Sequence, residues 1–194
     1  MTDDQHPFGG YAIFDTETSG LFDFAQPADA PGQPRLAELV MVFVDPVLQH
    51  QRTYKTYIRP DGWTMAPGAT AVHGLTNEIL IAEGRPVAEA LAIYTDAIDA
   101  GRVMVAFNAQ FDCKLMRGEL RRAGLDDGFE RTRNICCMRP LVDVCKLPKG
   151  RGGGYKFPKL SEAYRHLFNQ EMTGGHSALG DAHACLHIFQ WLIQ

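Results

Sequence analysis

The sequence predicts an α/β sandwich built around a mixed sheet. Three strand-like stretches crowd the first third of the chain, and from Pro86 onward helical periodicity alternates with short apolar strands. The chain has 194 residues, 45% hydrophobic and 22% charged, which is enough for one well-buried core and short for two. Residues 1–194 are therefore expected to form a single domain with a flexible terminus at residues 1–9.

Tyr11–Leu21 opens with an apolar run, ends in the acidic pair Asp15 and Glu17, and breaks at Ser19-Gly20. Residues 22–35 hold three prolines and no hydrophobic period, so they are expected to be an inserted loop, a mobile flap beside the acids. Leu36–Asp45 is nearly all apolar and reads as a central strand; Arg52–Arg59 alternates and reads as its hairpin partner. Thr76 or Asn77 caps a short helix, and Pro86 starts a longer one with Val87, Ala90, Leu91, Tyr94 and Ile98 at helical spacing. Val103–Phe107 is a strand, and Asn108–Ala123 a helix stopped by Gly124. A short strand at Asn134–Met138 and a brief helix at Pro140–Cys145 lead to the basic, glycine-rich loop Lys146–Lys159. Leu160–Phe168 and Leu179–Leu192 are the closing helices.

The net charge of −4 hides an asymmetry. Residues 1–100 carry 5 Lys/Arg against 14 Asp/Glu, a balance of −9, whereas residues 114–159 carry 12 against 5, a balance of +7. A basic face for phosphates beside an acidic region fits that division, and so does uneven solvation. The cysteines at 113, 136, 137, 145 and 185 make no C-x-x-C pair and fit the reduced thiols of a cytoplasmic protein. No segment approaches a membrane span, and the polar, acidic start is not a signal peptide.

Side chains on a strand repeat with period two, so Asp15 and Glu17 face the same side, ~6–7 Å apart. Their repulsion becomes favourable with a hard divalent cation between them, although two solvated acids at a strand end would look the same. A second cluster, Asn108-Ala-Gln-Phe-Asp112, follows a strand, where α/β proteins place their sites. Asn108 and Asp112 share a helix face; Asn108 is also a candidate cap, and Phe107 and Phe111 are candidates for core packing or for stacking. The third cluster is Gly174-Gly-His176-Ser-Ala-Leu-Gly-Asp181. His176 and Asp181 converge only if His176 stays in the glycine-flanked loop while Asp181 begins the last helix. His183 and His187 lack the glutamate of a zinc-protease helix and read as surface or packing residues.

With its three clusters in this order the sequence resembles the DEDD superfamily of 3′→5′ exonucleases, in the histidine-bearing branch. That branch includes the epsilon subunit of bacterial DNA polymerase III, ribonuclease T and oligoribonuclease. The matching stretches are Phe14-Asp15-Thr16-Glu17-Thr18-Ser19-Gly20-Leu21, Phe107–Asp112 and His176-Ser-Ala-Leu-Gly-Asp181, with Val72-His73-Gly74-Leu75-Thr76 resembling a substrate-side element of polymerase-associated members. The resemblance implies a ribonuclease-H-like fold with a five-stranded mixed sheet flanked by helices. It implies two Mg²⁺ or Mn²⁺ ions held by Asp15, Glu17, Asp112 and Asp181, with His176 as the general base. Thr16, Thr18 and Leu21 would hold the last nucleotide, and His73, Phe107, Asn108 and Phe111 would line the substrate. The implied partner is a single-stranded DNA 3′ end, with RNA as the alternative. The chain stops at Gln194, which argues against a polymerase-gripping tail, and the oligomeric state stays open. A binding-only relative and a small-molecule phosphatase are the competing classes; the first would lack a carboxylate, and none is missing.

Overall fold

The computed structural model describes residues 9–150, 152–173 and 177–194. Of the expected flexible terminus, residues 1–8 lie outside them. Five strands form one mixed sheet in the order β3-β2-β1-β4-β5. β1 (Tyr11–Thr18) runs antiparallel to β2 (Leu36–Val44), which pairs antiparallel with β3 (His50–Tyr57). β4 (Val103–Ala106) and β5 (Asn134–Cys136) add in parallel on the other side of β1. This is the five-stranded mixed sheet expected for the chain.

All nine residues of β2 are buried, because both faces of the sheet are covered. Leu39, Met41 and Phe43 pack with Phe14, Leu91, Tyr94 and Leu115 under α3 (Val87–Asp99) and α4 (Ala109–Arg122). Val40, Val42 and Val44 pack with Ile13 on the opposite face. That face is covered by α5 (Leu141–Cys145), α6 (Leu160–Phe168) and α7 (Ala178–Leu192). Among the described residues no helix is long and apolar enough to cross a membrane.

Two elements depart from expectation. A helix, α1 (Pro67–His73), precedes α2 (Asn77–Glu83); it buries none of its residues, so no apolar period announces it. Gly74 closes it at φ 77°, a left-handed position that suits glycine. The 22–35 loop is strapped down rather than hanging as a flap. Gln33 donates to the carbonyls of Asp23 and Pro27, and Lys114 of α4 to those of Asp23 and Gln26. Arg122 holds the Ala28 carbonyl. Where the loop ends, the buried carboxylate of Glu119 accepts two bonds from Arg35 and one from the Leu36 amide.

Candidate active site

β1 and β4 are parallel neighbours, so their C-terminal ends meet at one edge of the sheet. Their register runs from Tyr11 opposite Val103 to Ile13 opposite Val105. Asp15 and Glu17 therefore project beyond the last β4 pair, into the gap where the chain turns into α4. Asp112 sits in the first turn of α4, and Asp181 in the first turn of α7, which Ser177 caps by accepting from the Gly180 amide at 3.2 Å. Positive helix N-termini there favour carboxylates. Three elements thus deliver the four expected acids to one open cleft of about 240 Å³. His176, and Arg151 of the basic loop, lie outside the described residues.

The acids pay heavily for this crowding. Burial, then the charges of Asp112, Asp181, Glu17 and Glu38, holds the Asp15 carboxyl well above the usual range. Burial, then Glu38, Asp181 and Asp112, pushes Glu17 up to about 8. Burial pushes Asp112 up to about 7, against the hydroxyl of Thr16, which donates to its Oδ1 at 2.7 Å. Among the described residues no three acidic, imidazole or thiol groups are drawn together tightly enough to cage an ion as they stand.

Glu38 is a fifth acid that the sequence reading passed over inside an apolar run. It is 3% exposed, stands directly across from Glu17 on β2, and forms an ion pair with Lys55 at 3.2 Å. Only the strand register could have revealed it.

The other expected contacts divide. Leu21 is 88% exposed beside the site. Thr18 is buried; its hydroxyl donates to the Gly20 carbonyl at 2.6 Å, and its own carbonyl meets Nε2 of His73 at 3.1 Å. The Leu75 amide donates to His73 Nδ1, so the proton is on Nε2, and burial lowers the ring's pKa. Nε2 of His73 thus ties the end of α1 to the end of β1, while Nδ1 is held by the chain just beyond the helix. Asn108 lines the cleft at the N-cap position of α4 but makes no side-chain cap bond, contrary to the capping expectation. Phe107 is buried in the core with Ile13 and Leu141 and reaches the cleft only with one side. Phe111 stands at the mouth, edge-on to Phe22 at 5.2 Å. His187 is exposed against Tyr164, and His183 is half-buried away from the acids, both as expected.

A family model described as an exonuclease, RNase T, matches residues 12–189, nearly the whole chain. The chain belongs to this exonuclease family. Among curated relatives, three-prime repair exonuclease 1 of Bos taurus is 28% identical over 67% of this chain and 44% of its own. A DNA polymerase III subunit epsilon-like protein of Rhodobacter capsulatus is 27% identical over 94% and 23%. The epsilon subunit of Treponema pallidum is 26% identical over 97% and 78%. The chain thus spans less than half the length of the first two relatives. Escherichia coli exonuclease I, solved in complex with a dT13 oligonucleotide, superposes with a TM-score of 0.76 over 94% of this chain and 40% of that one. At 19% identity this likeness shows the shared fold. The exonuclease-family fold is the ribonuclease-H-like sheet read above.

Proposed function

We propose that this chain is a divalent-cation-dependent 3′→5′ exonuclease that removes 5′-mononucleotides from the 3′ end of single-stranded DNA. The observation that carries the reading is the convergence of Asp15, Glu17, Asp112 and Asp181 on one open cleft of a chain in the exonuclease family. The donor set fits hard divalent ions: it is all carboxylate oxygen, and burial, with the neighbouring acids at Asp15 and Glu17, raises the pKa of three members, a cost that a cation between them would offset. Asp15, Glu17, Asp112 and Asp181 would hold two Mg²⁺ or Mn²⁺ ions, whose chemistry in such a site is polarisation of a phosphodiester and acidification of water.

The chain's own residues do the rest. Thr16 fixes one oxygen of Asp112, setting the direction of that carboxylate. The His73 clamp holds the β1 terminus, so Thr16, Thr18 and Leu21 meet the last nucleotide on a rigid edge. Leu21, largely exposed, is the wedge against the terminal base, and Phe111 offers a ring for stacking. His176 accepts the proton of the attacking water, a role that suits an imidazole, whose reference pKa is near ~6.5.

DNA is preferred over RNA on the relatives' names, the repair exonuclease and the polymerase III subunits. The Val72–Thr76 stretch, which resembles an element of polymerase-associated members and lends Val72 to the cleft lining, supports the same preference. The test is digestion of end-labelled single-stranded DNA, duplex DNA and RNA of one sequence with Mg²⁺ or Mn²⁺. Stepwise shortening of single-stranded DNA from the 3′ end, faster than of RNA, is expected. Faster loss of RNA would make the chain an exoribonuclease, and action on mononucleotides alone a phosphatase.

A further inference from the structure

A second, larger cleft of about 510 Å³ lies between the strapped 22–35 loop, α4 and β5, and shares no lining residue with the carboxylate cleft. Four cations line it: Lys114, Arg117, Arg121 and Arg139. Arg117 and Arg121 both bind Asp127, and Arg121 also approaches Asp29 at 3.8 Å. Lys114 donates to neutral carbonyls, and Arg139 is exposed and pairs with no carboxylate among the described residues. Four cations against two acids leave the cleft positive. In the basic loop Lys146–Lys159, by contrast, Nζ of Lys156 bonds both carboxylate oxygens of Glu162, at 2.6 and 2.8 Å.

The two clefts are linked by an aromatic cluster. Phe24 lines the basic cleft, is 52% exposed, and stands 6.5 Å from Phe111, which lines the acidic one; Phe22 fills the angle between them. Lys114 Nζ lies 4.8 Å from the Phe24 ring. A solvent-exposed ring beside unneutralised cations is the pairing that single-stranded nucleic acid recruits, base on ring and phosphate on cation. We propose that this cleft holds the nucleotides 5′ of the one being removed, with a base on Phe24 and phosphates on Lys114 and Arg139. This rests on the exonuclease reading of the acidic cleft. It makes the 22–35 insertion a substrate-binding element, held in place by Gln33 and Lys114.

The test is KM against length for oligothymidylates of two to twelve nucleotides with Mn²⁺, for the wild type, Phe24→Ala and Arg139→Glu. Arg139 is exposed, so its substitution leaves folding intact even if Phe24→Ala does not. In the wild type KM should fall as the strand lengthens past the dinucleotide. Either substitution should flatten that gain, raising KM for the twelve-mer by about tenfold, the order of one lost stacking or phosphate contact. For Arg139→Glu the slope of log KM against log salt should also drop, by ~0.7 or more. Length and salt dependence identical to wild type in both variants would overturn the proposal. A wild type that degrades no length would instead sink the exonuclease reading.

Discussion

Glu17→Gln should stabilise the cation-free protein while abolishing its activity. The carboxyl of Glu17 is raised from 4.5 to about 8 by burial and by Glu38, Asp181 and Asp112. Between those values the folded chain keeps a proton that the unfolded chain has released, so stability falls as pH rises, and the loss is complete above about 8. A shift of about 3.5 units at ~1.36 kcal/mol each sets a ceiling near 5 kcal/mol. Glu17 opens onto a wet cleft, and screening there brings the expected figure to ~2 kcal/mol. The amide cannot ionise, so it escapes this penalty. The variant should equal wild type at pH 4 and exceed it at pH 8 by ~4–8 °C in Tm. The assay is thermal unfolding in EDTA across that range, repeated with Mg²⁺. The cation should narrow the gap, because it stabilises the ionised wild-type cleft more than the variant's. A Tm difference that is flat in pH, or that favours wild type at pH 8 in EDTA, would refute the reasoning.

Thr16→Val removes the hydroxyl that opposes the rise of the Asp112 pKa. Turnover at pH 6.5 should fall more than at pH 8.5, and a pH-rate profile unchanged in shape would count against this. Glu119→Gln strands Arg35 and Arg122 beside a buried neutral group; a loss of ~3 kcal/mol in denaturant unfolding is expected. His176→Ala should bind Mn²⁺ and single-stranded DNA nearly as wild type while kcat falls ~10²–10⁴-fold. Loss of metal affinity as severe as in Asp181→Ala would make the imidazole a ligand. Lys156→Ala should leave the salt dependence of KM unchanged, since Glu162 already neutralises that amine.

The sequence disclosed what local periodicity and charge can carry. Asp15 and Glu17 at the end of an apolar strand, Asp112 one turn into a helix and Asp181 after a glycine each marked an element end, and these ends meet at one edge of the sheet. What stayed hidden depends on partners distant in sequence. The 22–35 loop reads as mobile by its prolines, yet Lys114 and Arg122, on a helix some ninety residues onward, tie it down. Glu38 and Glu119 are single acids in apolar or mixed surroundings, and only the register across β1 and β2 or the packing of α4 gives them a place. α1 has no buried stripe at all. His73 was legible as a motif but not as a clamp, since its partner, the Thr18 carbonyl, lies 55 residues away.

The central claim is that the four clustered acids hold the cations for hydrolysis at a 3′ end. The most direct measurement follows a 5′-labelled single-stranded DNA oligomer with wild type and Asp15→Asn, each with Mg²⁺ and with EDTA. A ladder that shortens one nucleotide at a time, only with wild type and only with Mg²⁺, is predicted. An equal ladder in EDTA or with Asp15→Asn, or cuts scattered along the strand, would contradict it.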